Sequence, residues 1–136
     1  MGGGPQQNFQ EFQQIQQQLD EINEYIDEVE KRIQQLKESS TAIEEFKDVQ
    51  EGDEVLASIG NGVYAIAEIK DAENFVTEVG GEISEKMSLE DADEQLEKKR
   101  KDMKETKVML KEKTDQLEEE MHEIQQEMQE QRKQQE

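Results

Sequence analysis

The side chains that could carry out catalysis are few and scattered along this chain. His122 is the only histidine, cysteine is absent, and no glycine-rich loop followed by Lys and Ser or Thr could cradle a phosphate. The acidic runs 90–94 and 118–120 lack the glycine turn and the ligand spacing of a calcium loop. No set of acid, base and nucleophile can be assembled. We therefore predict that the chain is not an enzyme and uses neither a metal nor a cofactor.

Apolar contact is the chemistry that remains, and residues suited to it occur near both ends of the chain. Methionine is flexible and packs against varied apolar partners. The candidates for contact with an apolar partner are Phe9, Phe12, Ile15, Met121, Ile124 and Met128. All except Phe9 and Met128 would serve equally well as packing residues between two helices. Both ends are also rich in glutamine, which is more typical of a solvated helix surface than of a binding rim.

The charge balance excludes two classes of partner. The formal net charge is −20, from 36 acidic and 16 basic residues. Nucleic acid and anionic membrane surfaces both require clustered cations, so we expect neither as a partner. No apolar run approaches the roughly 20 residues that span a bilayer. The first residues lack the charged and apolar regions of a signal peptide, and the cytoplasm is the expected location.

Two long segments carry apolar residues at coiled-coil spacing. Seven-residue steps run from Phe12 to Ser40 and from Leu96 to Ile124. Nine of the ten seam positions from Phe12 to Ile43 are apolar. When the two series are paired in reverse order, the residue numbers of every pair add to 136. A seven-residue repeat keeps one seam turned towards a partner helix, so this match predicts an antiparallel coiled coil within the chain.

This register places Leu19 beside Leu117 and also brings opposite charges together. Residues 98–113 hold eight basic and three acidic side chains, and they face residues 23–38, which hold five acidic and three basic ones. A second seam position in the C-terminal helix is mostly polar: Asp93, Arg100, Lys107, Thr114, Met121 and Met128. We expect the long aliphatic stems among them to cover the apolar residues of the first helix.

The middle of the chain has the features of two β-hairpins. β-branched residues flank Gly60-Asn61-Gly62, predicted as a three-residue loop, and Gly80-Gly81, predicted as a two-residue loop. Four short strands are too few to close a barrel, and their edges would stay open. We therefore expect assembly with other chains through the hairpins. The expected oligomerisation residues are Val55, Ile59, Tyr64, Ile66, Phe75, Val79 and Ile83.

These features divide the chain into four predicted segments of an α+β fold. Residues 1–5 form a flexible leader, residues 6–50 the N-terminal coiled-coil helix, residues 51–87 the two hairpins, and residues 88–136 the C-terminal coiled-coil helix. Ser88 with Asp91 three residues later resembles a capping box at the start of the second helix.

In the order helix, two hairpins, helix, the chain resembles prefoldin. The string Val55-Leu-Ala-Ser-Ile-Gly-Asn-Gly-Val-Tyr64 is similar to the family's strand, Gly-x-Gly loop and aromatic strand, and the segment 74–81 also fits. Two hairpins rather than one point to an alpha-type subunit of archaeal kind. One departure is Ser58, since alpha-type chains usually carry a proline just before the hydrophobic residue of the first loop.

The resemblance implies a function and a set of partners. It implies a heterohexamer of two alpha-type and four beta-type subunits, whose hairpins form a β-barrel platform. Unfolded polypeptides are held at the coiled-coil tips without ATP and are delivered to a group II chaperonin. The expected client-binding residues are then the six apolar residues near the chain ends: Phe9, Phe12, Ile15, Met121, Ile124 and Met128.

A second interpretation is a structural coiled-coil scaffold with a central SH3-like or Tudor-like binding module. Gly52-Asp-Glu-Val-Leu-Ala57 followed by Gly62-Val-Tyr64 is similar to such modules. Those modules usually bind a cation or peptide with an aromatic cluster. The central region offers only Tyr64 and Phe75, which weighs against this interpretation.

Overall fold

Two helices enclose two β-hairpins in chain order, which confirms the predicted α+β architecture. A computed structural model of the protein describes residues 4–135, with side chains described through Gln134. The elements are α1 (Pro5–Glu45), β1 (Glu54–Gly60), β2 (Val63–Glu68), β3 (Asn74–Gly80), β4 (Ile83–Ser88) and α2 (Leu89–Gln135), with one 3-10 turn at Phe46–Asp48. Within residues 4–135, no helix is long and apolar enough to cross a lipid bilayer.

The chain divides into two compact units, and both helices contribute to each. The helical unit comprises residues 4–33 and 102–135, and the hairpin unit comprises Gln34–Lys101. Helix α1 begins at Pro5, where the fixed φ of proline suits the first helical position. The predicted leader of residues 1–5 falls mostly on residues 1–3, which lie outside the described residues, and Pro5 is already helical.

The two helices pack through the predicted seam inside the helical unit. Ile15, Leu19, Leu117 and Ile124 form a buried cluster, against which half-buried apolar residues pack. Leu19 and Leu117, the pair expected to face each other, belong to this one cluster. Side chains repeating every three and four residues place one apolar stripe on each helix, so burial of that stripe stabilises the pair.

The polar half of the α2 seam is half-buried, as expected for long side chains whose stems cover apolar neighbours. Within the helical unit, Lys107 and Thr114 are both half-buried. The Lys107 Nζ lies 3.1 Å from Glu30 Oε1. Among residues 4–135, this is the single ion pair that joins the cations of 98–113 to α1. The broad charge pairing expected from the sequence is therefore reduced to one bridge, because most of these lysines point towards solvent.

The hairpins form two separate two-stranded antiparallel sheets, β1 with β2 and β3 with β4. Each turn consists of two residues with positive φ: Asn61 and Gly62 in the first, Gly81 and Glu82 in the second. The predicted loops were wrong by one residue, because Gly60 and Gly80 lie in the strands at β-bulges. Two successive left-handed residues match the twist of the flanking strands, which explains the shared geometry.

The start of α2 is capped as the sequence predicts. The Asp91 backbone N–H donates to Ser88 Oγ at 3.2 Å, so the serine satisfies one of the free donors of the first turn. Glu90 and Asp91 also place negative charge at the positive end of the helix dipole. In the hairpin unit, Ser40 on α1 donates a hydrogen bond from its hydroxyl to the carboxylate of Asp93 on α2, so this polar seam layer is satisfied.

Candidate functional site

A cleft of about 490 Å³ opens in the helical unit where α1 begins and α2 ends. We call it the tip cleft. Its apolar wall comes from Pro5, Phe9, Phe12 and Met128, and the remaining lining is glutamine with one cation, Arg132. A cavity of this size, with an apolar wall and hydrogen-bonding side chains around it, has the character of a binding site.

The six apolar residues predicted from the sequence fall into two layers of the helical unit. Phe9, Phe12 and Met128 line the tip cleft, and Phe9 is 50% exposed. The deeper layer belongs to the buried cluster, where Ile15 and Ile124 are buried and Met121 packs against them. The structure therefore brings all six towards one end of the helix pair. Three are accessible from the cleft, and three form the packed layer beyond it.

The tip is far less charged than the rest of the chain. Residues 5–18 contain one charged residue, Glu11, and residues 121–135 contain three acidic and two basic residues. Helix α1 also has no acidic residue in its first turn. Such a surface would not repel an incoming segment strongly on account of its charge, so its selectivity would depend on apolar contact.

One residue of the site was not found by sequence analysis. Asn8 holds a seam position four residues before Phe12, and its side chain is completely buried. Its Nδ2 donates to Gln131 Oε1 across the two helices at 3.5 Å, whereas its Oδ1 has no hydrogen-bond partner. A polar residue at this position indicates that the apolar heptad pattern ends before it. The heptad spacing of Asn8, four residues before Phe12, was the one sign in the sequence that its side chain could face the other helix.

The hairpins present a second candidate surface, with two kinds of position among the predicted residues. Val55 and Phe75 are half-buried, and Phe75 meets Phe46 edge to face with ring centroids 5.6 Å apart. These two pack within their own chain, and the sequence did not predict this inward orientation. The remaining predicted oligomerisation residues are exposed: Ile59, Tyr64, Ile66, Val79 and Ile83.

The hairpin faces opposite to Val55 and Phe75 contain exposed residues that the prediction left out. Leu56 pairs with Ile66 across β1 and β2, and both are exposed, Ile66 to 75%. Val76 on β3 is 76% exposed. Strand alternation could have identified Leu56, since it shares a face with its cross-strand partner Ile66. Branched apolar side chains this exposed on open-edged strands are typical of an interface that a partner covers.

A tight polar turn precedes the second hairpin. The Asp71 carboxylate accepts from the Asn74 side-chain amide at 3.0 Å, from the Glu73 and Asn74 backbone N–H groups, and lies 3.2 Å from the Lys86 Nζ. The Asn74 amide, followed by the Glu73 N–H and the Lys86 ammonium, lowers the pKa of Asp71 from 3.8 to about 2. This arrangement holds the turn to β4 rather than creating a reactive group.

Side chains able to ligate a metal do not gather in the described part of the chain. Among residues 4–134, no group of three or more His, Cys, Asp or Glu side chains could hold a metal ion. His122 is exposed, and its Nε2 lies 3.2 Å from the side-chain nitrogen of Gln126, one helical turn away on α2. It lies on the surface of the helix, as the sequence interpretation has it.

Comparison with known proteins gives one family and one fold. The family of prefoldin subunits matches residues 10–134. No curated protein sequence matches this chain significantly. Among 15 matching chains of solved structures is one from the cryo-EM structure of filamentous PFD from Methanocaldococcus jannaschii, with a TM-score of 0.78. It is 19% identical, and the match covers 85% of this chain and 95% of that chain, so the likeness shows the fold.

Proposed function

The chain belongs to the prefoldin family, and from this membership we propose that it is an alpha-type subunit of a chaperone that holds unfolded polypeptides without ATP. Prefoldins are non-enzymatic chaperones that act as oligomers of prefoldin subunits. For this chain, we propose that clients bind in the tip cleft and that the hairpins join the subunits. Delivery of clients to a group II chaperonin in the cytoplasm completes the proposal.

The tip cleft is the observation that carries the holding function. Phe9 and Met128 contribute a half-exposed aromatic ring and a flexible thioether to its lining. Glutamine side chains surround them, so an unfolded segment meets apolar surface with hydrogen-bonding groups at its border. Neither feature selects one sequence, which suits a binder of many different unfolded chains.

The experiment removes two of the apolar side chains that line the cleft and leaves the four buried residues of the cluster in place. Phe9→Ser with Met128→Ser should weaken suppression of aggregation of a denatured protein, measured by light scattering. The matched control is Tyr25→Ser with Met109→Ser, which removes one exposed aromatic residue and one exposed methionine from the same two helices away from the tip. Several subunits share each client, so a partial loss of two- to fivefold is expected.

The control variant distinguishes client binding at the tip from nonspecific apolar binding along both helices. If both double variants lose protection equally, holding is a property of the helices as a whole, and the proposed site is wrong. Assembly size is measured in parallel by native mass spectrometry, because a dissociated complex would also lose protection. Full protection by the tip variant, at unchanged assembly size, would contradict the proposal directly.

The proposed partners are beta-type subunits, four for every two copies of this chain. The exposed apolar residues of the hairpins support association, and two hairpins per chain support the alpha type. Native mass spectrometry of this chain, alone and mixed with a beta-type subunit, tests the stoichiometry. The similar PFD from Methanocaldococcus jannaschii is filamentous, so a ladder of masses from this chain alone would favour self-assembly over the two-to-four hexamer.

The scaffold interpretation with a central SH3-like or Tudor-like module receives less support. The described strands pair as two separate ribbons rather than as one small barrel. Tyr64 is exposed, whereas Phe75 packs edge to face on Phe46, so the described hairpin residues contain no aromatic cage. Failure of the isolated chain to suppress aggregation, together with selective peptide binding at the hairpins, would restore it.

A further inference from the structure

The seam between the two helices contains an incompletely hydrogen-bonded polar layer, Asn8 with Gln131, next to the tip cleft. Asn8 is completely buried, and its Oδ1 has no partner among the residues that the structure describes. The side-chain hydrogen bond from Asn8 Nδ2 to Gln131 Oε1 has a donor–acceptor distance of 3.5 Å, at the outer limit for such a bond. A buried polar atom without a partner disfavours the closed state, since water would satisfy it when the helices separate.

Other features leave this end of α1 weakly held. The first turn has no acidic residue to oppose the positive end of the helix dipole. Helix ends also have the lowest local stability in a fold, because few contacts hold them. The buried apolar cluster, which contains Ile15 and Ile124, begins only beyond Phe12 and Met128. The incompletely hydrogen-bonded layer therefore lies in the part of the seam where separating α1 from α2 breaks the fewest packing contacts.

We propose that Asn8 is a positioning residue that keeps the tip only marginally closed. In the open form, the first two turns of α1 separate from the end of α2, and Phe12 and Met128 become available to an apolar polypeptide segment. The closed form leaves the same side chains half-buried. This inference rests on the proposed client site, and it adds that part of the client-binding surface is covered in the resting subunit.

Hydrogen exchange of the full chain measures the opening without any client. Asn8→Leu removes the unsatisfied oxygen and adds an apolar side chain to the seam, so amide exchange across residues 9–16 should slow about tenfold. Asn8→Ser keeps a polar group at the same position and should leave exchange as fast as in the natural chain. Gln14→Leu is the matched control, because it adds the same side chain at an exposed position of the same helix.

Three results would overturn the proposal at this stage. Unchanged exchange in Asn8→Leu would show that the layer does not govern opening. Faster exchange would show that Asn8 stabilises the closed tip, the opposite of the role assigned to it. Equal slowing by Gln14→Leu would assign the effect to hydrophobicity in general and would equally exclude a specific role for Asn8.

The client assay then tests whether the opening is used. Asn8→Leu should reduce the rate of client capture several-fold, Asn8→Ser should restore it, and Gln14→Leu should leave it unchanged. Slow exchange with undiminished capture would contradict the proposal while leaving tip binding intact. If the natural chain captures no client at all, the holding function fails, and the exchange result still reports on Asn8 alone.

Discussion

The tip cleft and the hairpins both expose apolar side chains, yet they do so in different ways. At the tip, Phe12 and Met128 are half-buried within their own chain, and Phe9 is 50% exposed. On the hairpins, Ile66 and Val76 are almost fully exposed on strands with open edges. Partial burial suits a partner that binds reversibly, whereas high exposure of apolar side chains favours a partner that stays bound. Under the proposed function, the partly buried apolar surface of the tip is the transient site, and the exposed apolar surface of the hairpins is the permanent one.

The largest expected effect comes from charging the hairpin surface. Ile66→Asp with Val76→Asp should dissociate the assembly, because an unpaired charge buried in an interface costs several kcal/mol. Helical circular dichroism should survive, since both side chains are exposed within the single chain. Native mass spectrometry provides the measurement, and Gln35→Asp is the control that adds a charge at an exposed helical position. A double variant that assembles normally would remove the distinction between the two regions.

An intermediate effect is expected from a cavity in the helical unit. Leu117 is buried at 3% exposure, and Leu117→Ala should lower the free energy of unfolding by about 2–5 kcal/mol. Met109→Ala, at an exposed position of the same helix, should change it by less than about 0.5 kcal/mol. Thermal and urea unfolding measure both changes. Equal losses in the two variants would show that the helices do not pack through the described seam.

The smallest effect concerns the turn before the second hairpin. The pKa of Asp71 is lowered to about 2, so its stabilising contribution is complete above its ordinary pKa of 3.8 and is lost as the pH falls through about 2. NMR titration of the Asn74 amide should follow this midpoint, and Asp71→Asn should abolish the transition. A midpoint near 3.8 would show that the hydrogen bonds to the carboxylate do not persist in solution.

The long elements were predictable, because their signals are local and repeated. Heptad spacing predicted both helices and placed Leu19 with Leu117, and a serine followed by acidic residues predicted the start of α2. The turns were harder. Two adjacent glycines can place the bulge and the turn in more than one way, and the structure uses Gly80 for the bulge and lets Glu82 adopt a positive φ.

Local pattern groups the strand residues into faces and marks Asn8 as polar, but it does not show which face turns inwards or that Asn8 becomes buried. Val55 and Phe75 turn inwards; for Phe75 the contact is with Phe46, a residue distant in sequence. The burial of Asn8 likewise depends on α2 passing beside it, with Gln131 lying 123 positions away. Such features arise from contacts between distant segments, and a single sequence does not reveal which side of a strand or which polar residue these contacts will cover.

One contact in the hairpin unit bears on the direction in which the sheet can grow. The Lys99 Nζ of α2 donates to the backbone carbonyl oxygen of Glu78 on β3 at 2.8 Å. A strand that sought this oxygen would have to displace an ammonium group from a charge-assisted bond. The lysine thereby disfavours pairing of an additional strand at this position, as charged residues at strand edges do in other proteins. If the subunits assemble through the hairpins as proposed, an incoming strand would meet less competition at edge positions away from Glu78.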